Sequence, residues 1–415
     1  MSDKLDKGEI MKTGKKTAIA LILATFCLGG GIKALQVGNN ADTQYIVAQA
    51  EEKQGTFDQA KLGISAKAAY LMDFATGTAM FSHNEKTHLP IASMCKIMTL
   101  ILAFDAIKDG ALDMDEEITI SNRAASMGGS QVFLEANAKY KVRELIKSVV
   151  VCSANDSCVA LSERIAGGET AFVDKMNERA KGLGANDTLF ANCTGLPKDP
   201  QYSCAYDVAL MMKELLQNEE YYEFGKVWLD KFSHPEGRFT EITNTNKLVR
   251  FYDGCDGGKT GFTNQAGFCL AATAKRGDMR VISVVIGGEN SQKRFDDVRT
   301  CFDYAFANYT TKPIITGGER LVESAKVNGG KEDCVSVYPA RSSYAFTKRG
   351  DKSNITIESK FYEVKAPISA GEKVGEMLVF KDGVEIDKVP LLAFSGVEKA
   401  NFLDRLKDIA QGWNA

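Results

Sequence analysis

Between Ala66 and Phe81 two apolar stretches, Ala-Ala-Tyr-Leu-Met-Asp-Phe and Ala-Met-Phe, flank a small polar segment, a pattern that predicts a β-hairpin about Thr76-Gly77. Pro90 then precedes a nearly unbroken apolar run, Ile97 to Ile107, closed by Asp109-Gly110; this predicts a buried helix beginning near Ser93 with Gly110 as its C-cap. Apolar positions recur with helical spacing at Val142 to Cys152, Asn155 to Ile165, Ala171 to Gly182 and Ala205 to Leu216, which makes the middle of the chain helical. Strand patterns return at Gly267 to Ala274 and Met279 to Ile286. These β-branched runs are separated by Lys275-Arg276-Gly277-Asp278, a second hairpin, and a helix from Arg294 to Ala307 should pack on the same sheet. The order strands, helices, strands, helix predicts an α+β fold for residues 61–310, with one antiparallel sheet assembled from both ends of the segment.

Past Thr311 the pattern shortens. Ser336-Val337-Tyr338, Asn354 to Glu358 and Glu376 to Phe380 alternate over a few residues each, and Lys381-Asp382-Gly383 is a strong turn signal, so 311–395 reads as a small all-β domain. In the tail, 396–415, Phe402, Leu403, Leu406, Ile409, Ala410 and Trp413 share one helical face while Asp404, Arg405, Lys407 and Asp408 point away. Such a helix either docks on its own domain or lies at a membrane surface with Trp413 at headgroup level. At the other end, residues 1–50 read as signal peptide and leader. Lys12, Lys15 and Lys16 precede the apolar run Thr17 to Leu28, which Gly29-Gly30-Gly31 follows, and that run is shorter than the roughly 20 residues a spanning helix needs. Export is therefore expected. The small-residue site Ala48-Gln49-Ala50 lies farther from the run than is usual, so the cleavage point stays open, and Met11 is an alternative start.

Composition narrows the classes. The 415 residues carry 51 basic and 54 acidic side chains, a formal charge of −3, which provides no general basic surface for nucleic acid. Ten cysteines in an exported chain raise the question of disulfides, but a chain this long needs no stapling; Cys152, Cys158 and Cys269 lie in apolar stretches and read as small buried hydrophobes. His83, His88 and His234 form no ligand spacing, so neither a metal nor another cofactor is expected.

Three short motifs follow in order: Ser93-Met94-Cys95-Lys96, Ser153-Ala154-Asn155 and Lys259-Thr260-Gly261. Each alone is weak, and simple helix capping explains Ser93, Ser153 or Asn155 equally well. Together they suggest nucleophilic catalysis. On a helix Lys96 lies one turn from Ser93 on the same face, and burial among Ile91, Ile97 and Met98 would lower its pKa enough for it to take the hydroxyl proton. Ser153, in a connection, could relay a proton to a leaving amine, while Asn155 could hold Lys96 or a substrate amide. Lys259-Thr260-Gly261 is expected to open an edge strand running through Phe268 to Ala272, able to pair with an extended peptide, with Gly261 admitting the substrate backbone.

The ordered set resembles the low-molecular-weight penicillin-binding proteins, the exported D-alanyl-D-alanine carboxypeptidases. The resemblance extends to Leu89-Pro-Ile-Ala-Ser93, Ser153-Ala-Asn-Asp-Ser157, Asn192 to Tyr202, Asp207 to Leu210 and Asp256 to Gly267, covering roughly Lys61 to Phe394. It implies a β-lactamase/transpeptidase-like domain followed by a β domain, with Ser93 as acylated serine, Lys96 as base, Ser153 and Asn155 as the second catalytic element and Lys259, Thr260 and Gly261 as substrate strand. It further implies that the backbone amides of Ser93 and Phe262 form the oxyanion hole and that Arg294 orients the substrate carboxylate, an ion pair at a helix start being the alternative for Arg294. The implied partners are peptidoglycan pentapeptide stems, with β-lactams as inhibitors and peripheral membrane contact through the tail. Phe262 stands where some members have histidine, and Cys95 where threonine or another small residue is commoner. An endopeptidase, a class A-like β-lactamase and a catalytically silent penicillin sensor are the alternatives. The β-lactamase is disfavoured, because no Glu-x-x-x-Asn element is evident between the second and third motifs and Ser153-Ala154-Asn155 lacks the middle Asp.

Overall fold

The computed structural model describes residues 62–404. The leader and most of the tail helix lie outside the described residues; among those described, no helix is long and apolar enough to cross a membrane.

The opening hairpin consists of β1 (Ala68–Asp73) and β2 (Ala79–His83), and three later strands complete the sheet: β3 (Cys255–Thr263), β4 (Gly267–Arg276) and β5 (Met279–Gly288). Their order is β2-β1-β5-β4-β3 and every neighbouring pair is antiparallel, so the sheet is built from both ends of the domain as its sequence order predicts. Period-2 alternation sends β1, β4 and β5 into two separate cores. Ala69, Leu71, Leu270, Ala272, Val281 and Val285 pack with Phe295, Val298 and Phe302 of the closing helix, α6 (Ser291–Asn308). Their neighbours Ala68, Tyr70, Met72, Ala271, Ile282 and Val284 face the helical region: α1 (Lys96–Lys108), α2 (Val142–Val151), α3 (Asn155–Ala166), α4 (Glu169–Gly182) and α5 (Ala205–Leu215). A sheet covered on both faces explains why these strands are apolar throughout.

Two local expectations are corrected. The strand expected from Lys259 through Ala272 is two strands, because Thr263 to Gly267 turns the chain back; the Thr263 hydroxyl accepts the Ala266 N–H, and Gly267 sits at φ +68°. The final helix begins three residues earlier than expected, capped by Asn290, whose side chain accepts the Lys293 N–H at 2.9 Å. Arg294 thereby falls in its first turn. A further hairpin, Leu229–Ser233 with Phe239–Thr243, has only Phe232 and Ile242 buried along its strands, too little apolar signal to read from sequence.

The β region begins directly after α6. Its strands are β6 (Tyr309–Ile315), β7 (Ser324–Asn328), β8 (Cys334–Pro339), β9 (Ser343–Lys348), β10 (Ile355–Phe361), β11 (Val364–Lys365), β12 (Lys373–Lys381) and β13 (Val384–Ala393). They form a six-stranded sheet, β10-β12-β13-β8-β7-β11, and the pair β6-β9. The β12–β13 turn has Asp382 at φ +49° and Gly383 at φ +80°, the paired positive values that a two-residue hairpin turn needs. Thr311 on β6 donates to fully buried Asp73 at the end of β1 (2.6 Å), tying this region to the opening hairpin.

Candidate active site

Ser93 does not open the α-helix. It lies in a 3₁₀ turn, Ala92–Cys95, and α1 starts at Lys96. The turn is forced by its neighbours: Ala92 adopts φ +47°, unfavourable for a residue with a Cβ, and the chain passes within touching distance of two glycines. A methyl at Gly195 would lie 2.0 Å from the Ala92 carbonyl oxygen, and one at Gly261 would lie 2.6 Å from the Ile91 oxygen and 3.2 Å from Ser93 N. Gly261 thus lets β3 close on the nucleophile turn; the close approach is to the protein's own backbone, where sequence reasoning expected substrate. Neither Ser93 nor Cys95 caps the helix through its side chain.

Lys96 Nζ lies 2.9 Å from Ser93 Oγ and donates to the Thr194 carbonyl at 2.5 Å. Its side chain is fully buried, and burial holds its pKa below the ordinary lysine range, since the ammonium loses its water without gaining a carboxylate partner. Lys259, on the edge strand β3, is 1% exposed and donates to the Thr260 carbonyl at 3.1 Å. Burial first, and the nearby positive charge of Lys96 second, push its pKa well down. Two buried lysines in one cleft with no acid between them favour a neutral amine on one of them.

Ser153 lies in the three-residue connection from α2 to α3 at φ +65°, and its Oγ is buried with no partner among the described residues. Asn155, the first residue of α3, donates from Nδ2 to the Gly128 carbonyl (2.7 Å), while its Oδ1 is buried and unpaired. Buried polar atoms without a protein partner and a strained residue in one segment mark it as a candidate functional site. Thr260 is buried, whereas Phe262 is 51% exposed, with its ring 4.3 Å from that of Phe268. Among the described residues Arg294 has no ion-pair partner. It lies between the Phe268 and Phe295 rings, its guanidinium 3.4 Å from the carbonyls of Gly261 and Cys269, with Nε buried and unpaired. Burial lowers its pKa to about 10, which leaves it cationic at neutral pH behind the substrate strand.

The first and third motifs and Arg294 meet at the Ser93 turn, and the second lies close by, its neighbours Cys152 and Cys158 within electrostatic range of Lys259 and of Lys96 and Lys259 respectively. Sequence reading placed Asn192 to Tyr202 within the resemblance but gave its turn no role in the site. Asn192 Oδ1 accepts the N–H groups of Thr194 (3.1 Å) and Gly195 (2.7 Å), shaping the loop whose Thr194 carbonyl holds Lys96. The signal was an Asn followed two residues on by Thr-Gly, an Asx-type turn. Recesses of about 500 and 520 Å³ are lined by residues outside every motif, whereas a small recess of about 20 Å³, lined by Ile91, Ala92, Gly195 and Thr263, borders the Ser93 turn. Among the described residues the one group with metal-ligand potential is Asp187, Cys204 and Asp207, and the Lys86 ammonium already lies 3.6 and 3.8 Å from the two carboxylates. The nine described cysteines are all free; Cys158 and Cys269 are buried and Cys152 is half-buried.

The family described as D-alanyl-D-alanine carboxypeptidase, the S11 peptidases, matches residues 53–290, and that of the penicillin-binding protein 5 C-terminal domain matches 309–399. The chain is 38% identical over 363 residues to the D-alanyl-D-alanine carboxypeptidase DacF of Bacillus subtilis, spanning 87% of this chain and 93% of that one. It is 30% identical over 361 residues to DacA of Escherichia coli, spanning 83% and 87%. Penicillin-binding protein 5 of Haemophilus influenzae superposes with a TM-score of 0.67 at 28% identity, covering 81% of this chain and 98% of that one. Penicillin-binding protein D2 of Listeria monocytogenes, solved in an ampicillin-bound form, superposes with a TM-score of 0.53 at 30% identity, covering 59% and 98%. A family match over more than half the chain, joined to a serine–lysine pair in a transpeptidase-type fold, places this protein in the D-alanyl-D-alanine carboxypeptidase family of serine hydrolases, among the low-molecular-weight penicillin-binding proteins.

Proposed function

We propose that this protein is exported, removes the terminal D-alanine from peptidoglycan stem peptides through an acyl-enzyme on Ser93, and is trapped at the same serine by penicillins. The observation that carries this reading is the 2.9 Å contact between Ser93 Oγ and the amine of a fully buried lysine. Neutral Lys96 takes the Ser93 proton as Oγ bonds to the carbonyl carbon of the D-Ala-D-Ala amide. The resulting oxyanion is held by the Ser93 and Phe262 amides, on either side of the close approach at Gly261. Ser153 passes the proton to the amine as the C–N bond breaks and D-alanine leaves; Asn155 and Lys259 hold the peptide and its charge. Water then cleaves the ester and restores Ser93. A β-lactam opens by the same attack but keeps its leaving amine tethered, so the ester persists.

Export rests on the Lys12 to Gly31 leader, and contact with the outer face of the membrane on the apolar face of the tail from Phe402 to Trp413. Intact-mass spectrometry after benzylpenicillin treatment, paired with D-alanine release from diacetyl-Lys-D-Ala-D-Ala, tests the chemistry. One penicilloyl adduct, lost in Ser93→Ala, together with D-alanine release, is expected. An adduct without release would point to the endopeptidase or sensor, and no adduct at Ser93 would overturn the mechanism.

A further inference from the structure

The stretch 127–138 contains no helix or strand, yet it lies directly against the second motif. Asn155 donates its backbone N–H to the Ser130 carbonyl and its side-chain amide to that of Gly128, both at 2.7 Å. The neighbouring Asp156 carboxylate accepts the N–H groups of Val132 and Leu134 at 3.1 Å. Phe133 and Asn137 hold φ values of +63° and +64°, so the loop's path is imposed from outside.

Its outer side is held by the 229–243 hairpin. Arg238 donates to the Phe133 carbonyl (2.9 Å) and to Glu135 (2.7 Å), and Thr240 Oγ1 donates to the Val132 carbonyl (3.2 Å). The centre of this contact is His234, 6% exposed, with Tyr140 OH 2.9 Å from Nδ1 and Thr240 Oγ1 2.9 Å from Nε2. The chain has one consistent direction. Tyr140 OH accepts the Glu135 N–H (3.3 Å), so its own proton goes to Nδ1; Nε2–H donates to Thr240, whose proton goes to Val132. Every member is satisfied only with neutral imidazole carrying its proton on Nε2.

We propose that His234, together with Tyr140 and Thr240, is a positioning latch that holds the 127–138 loop against Asn155, and that protonation of His234 releases it. The proposal rests on the active-site reading above, in which Asn155 serves acylation. A proton on Nδ1 would face the Tyr140 hydroxyl and leave the phenolic proton without an acceptor. The charged and titratable groups around the ring are Arg238 and Glu135, paired with each other, together with Tyr140 and, beyond it, Asp156; Arg238 and burial oppose protonation, and Glu135 favours it.

The test compares the full chain with His234→Gln, whose amide can accept from Tyr140 and donate to Thr240, and with His234→Phe, which can do neither. Two readouts are followed from pH 5 to 8: the rate of acylation by benzylpenicillin, and hydrogen exchange at the Val132 and Leu134 amides. His234→Phe should acylate about tenfold more slowly at pH 7.5, as a small misplacement of a reacting group allows, and His234→Gln should recover most of that loss. The ratio of wild-type to His234→Gln rates cancels the lysine titrations they share; it should be constant above about pH 6.5 and fall below it. Exchange at the two amides should quicken in His234→Phe while amides of α6 stay protected, which separates release of the latch from unfolding. A flat rate ratio with unchanged exchange would overturn the proposal. Faster loop exchange in a protein that no penicillin acylates would support the latch and sink the acyl-enzyme reading.

Discussion

The catalytic and C-terminal regions treat buried polarity in opposite ways. Around the cleft, Lys96 and Lys259 are buried without an acid, Ser153 Oγ, Asn155 Oδ1 and Arg294 Nε have no partners, and Ala92 and Ser153 hold positive φ. In the β region the polar side chains that are buried, Thr311 and Ser343, donate to carboxylates, and its charges pair at the surface, as in Arg341–Asp387 and Lys381–Asp351. One region stores unsatisfied groups at a site and the other obeys ordinary folding rules. The difference separates residues selected for chemistry from residues selected for a fold, and it leads to measurable contrasts.

The largest effect expected is at Lys96. Lys96→Met should lower the rate of penicillin acylation by roughly 10²–10⁴-fold, the range for removing a positioned general base. It should not destabilise the domain at neutral pH and should raise its melting temperature, because burial disfavours the ammonium that Lys96 carries in the unfolded chain, and an apolar side chain of similar size has no such cost. The pH dependence has a definite sign. The folded pKa of Lys96 lies below its unfolded value, so the unfolded chain binds more protons between the two, and wild-type stability increases as pH rises through that window. The advantage of Lys96→Met should therefore shrink from pH 7 toward pH 10, measured by denaturant titration; an advantage that grows would contradict a depressed lysine. Acylation by the wild type should rise over the same range to a plateau below the usual lysine pKa.

Next in size is a core truncation in the β region. Leu391 is fully buried beside Val337 and Val374, and Leu391→Ala should cost about 2–5 kcal/mol in the transition of that region. The rate of Ser93 acylation should stay at the wild-type value, measured on the same sample; a matching fall would show that the two regions share one cooperative unit. The smallest effect sharpens the comparison from the surface. Lys373 and Glu376 pair at 2.8 Å with Lys373 44% exposed, so Lys373→Ala should change stability by less than about 1 kcal/mol, and added salt should erase the difference.

Much of the fold was legible in the sequence. Periodicity located the hairpins and helices, because apolar spacing follows directly from which face each element buries. The three motifs were legible because side-chain chemistry at fixed spacing survives any tertiary arrangement. Where local signals were weak, reading failed. Asn290 began α6 earlier than the apolar pattern suggested, the 229–243 hairpin buries too little to show alternation, and a turn at Thr263 divided one long apolar run into two strands.

The sequence by itself determined the α+β order, the serine–lysine pair one helical turn apart and the edge position of Lys259-Thr260-Gly261. Tertiary structure alone decided that Ser93 lies in a 3₁₀ turn, that Gly195 and Gly261 are required by the close passage of distant backbone, and that Lys96 rests on the Thr194 carbonyl. It also decided that the charges of two lysines 163 positions apart oppose each other in one cleft. The physical reason is range. Propensity, capping and periodicity act over a few residues, whereas desolvation, steric clearance and electrostatic coupling depend on which groups meet through space, and that is defined only once the sheet has brought the two ends of the domain together.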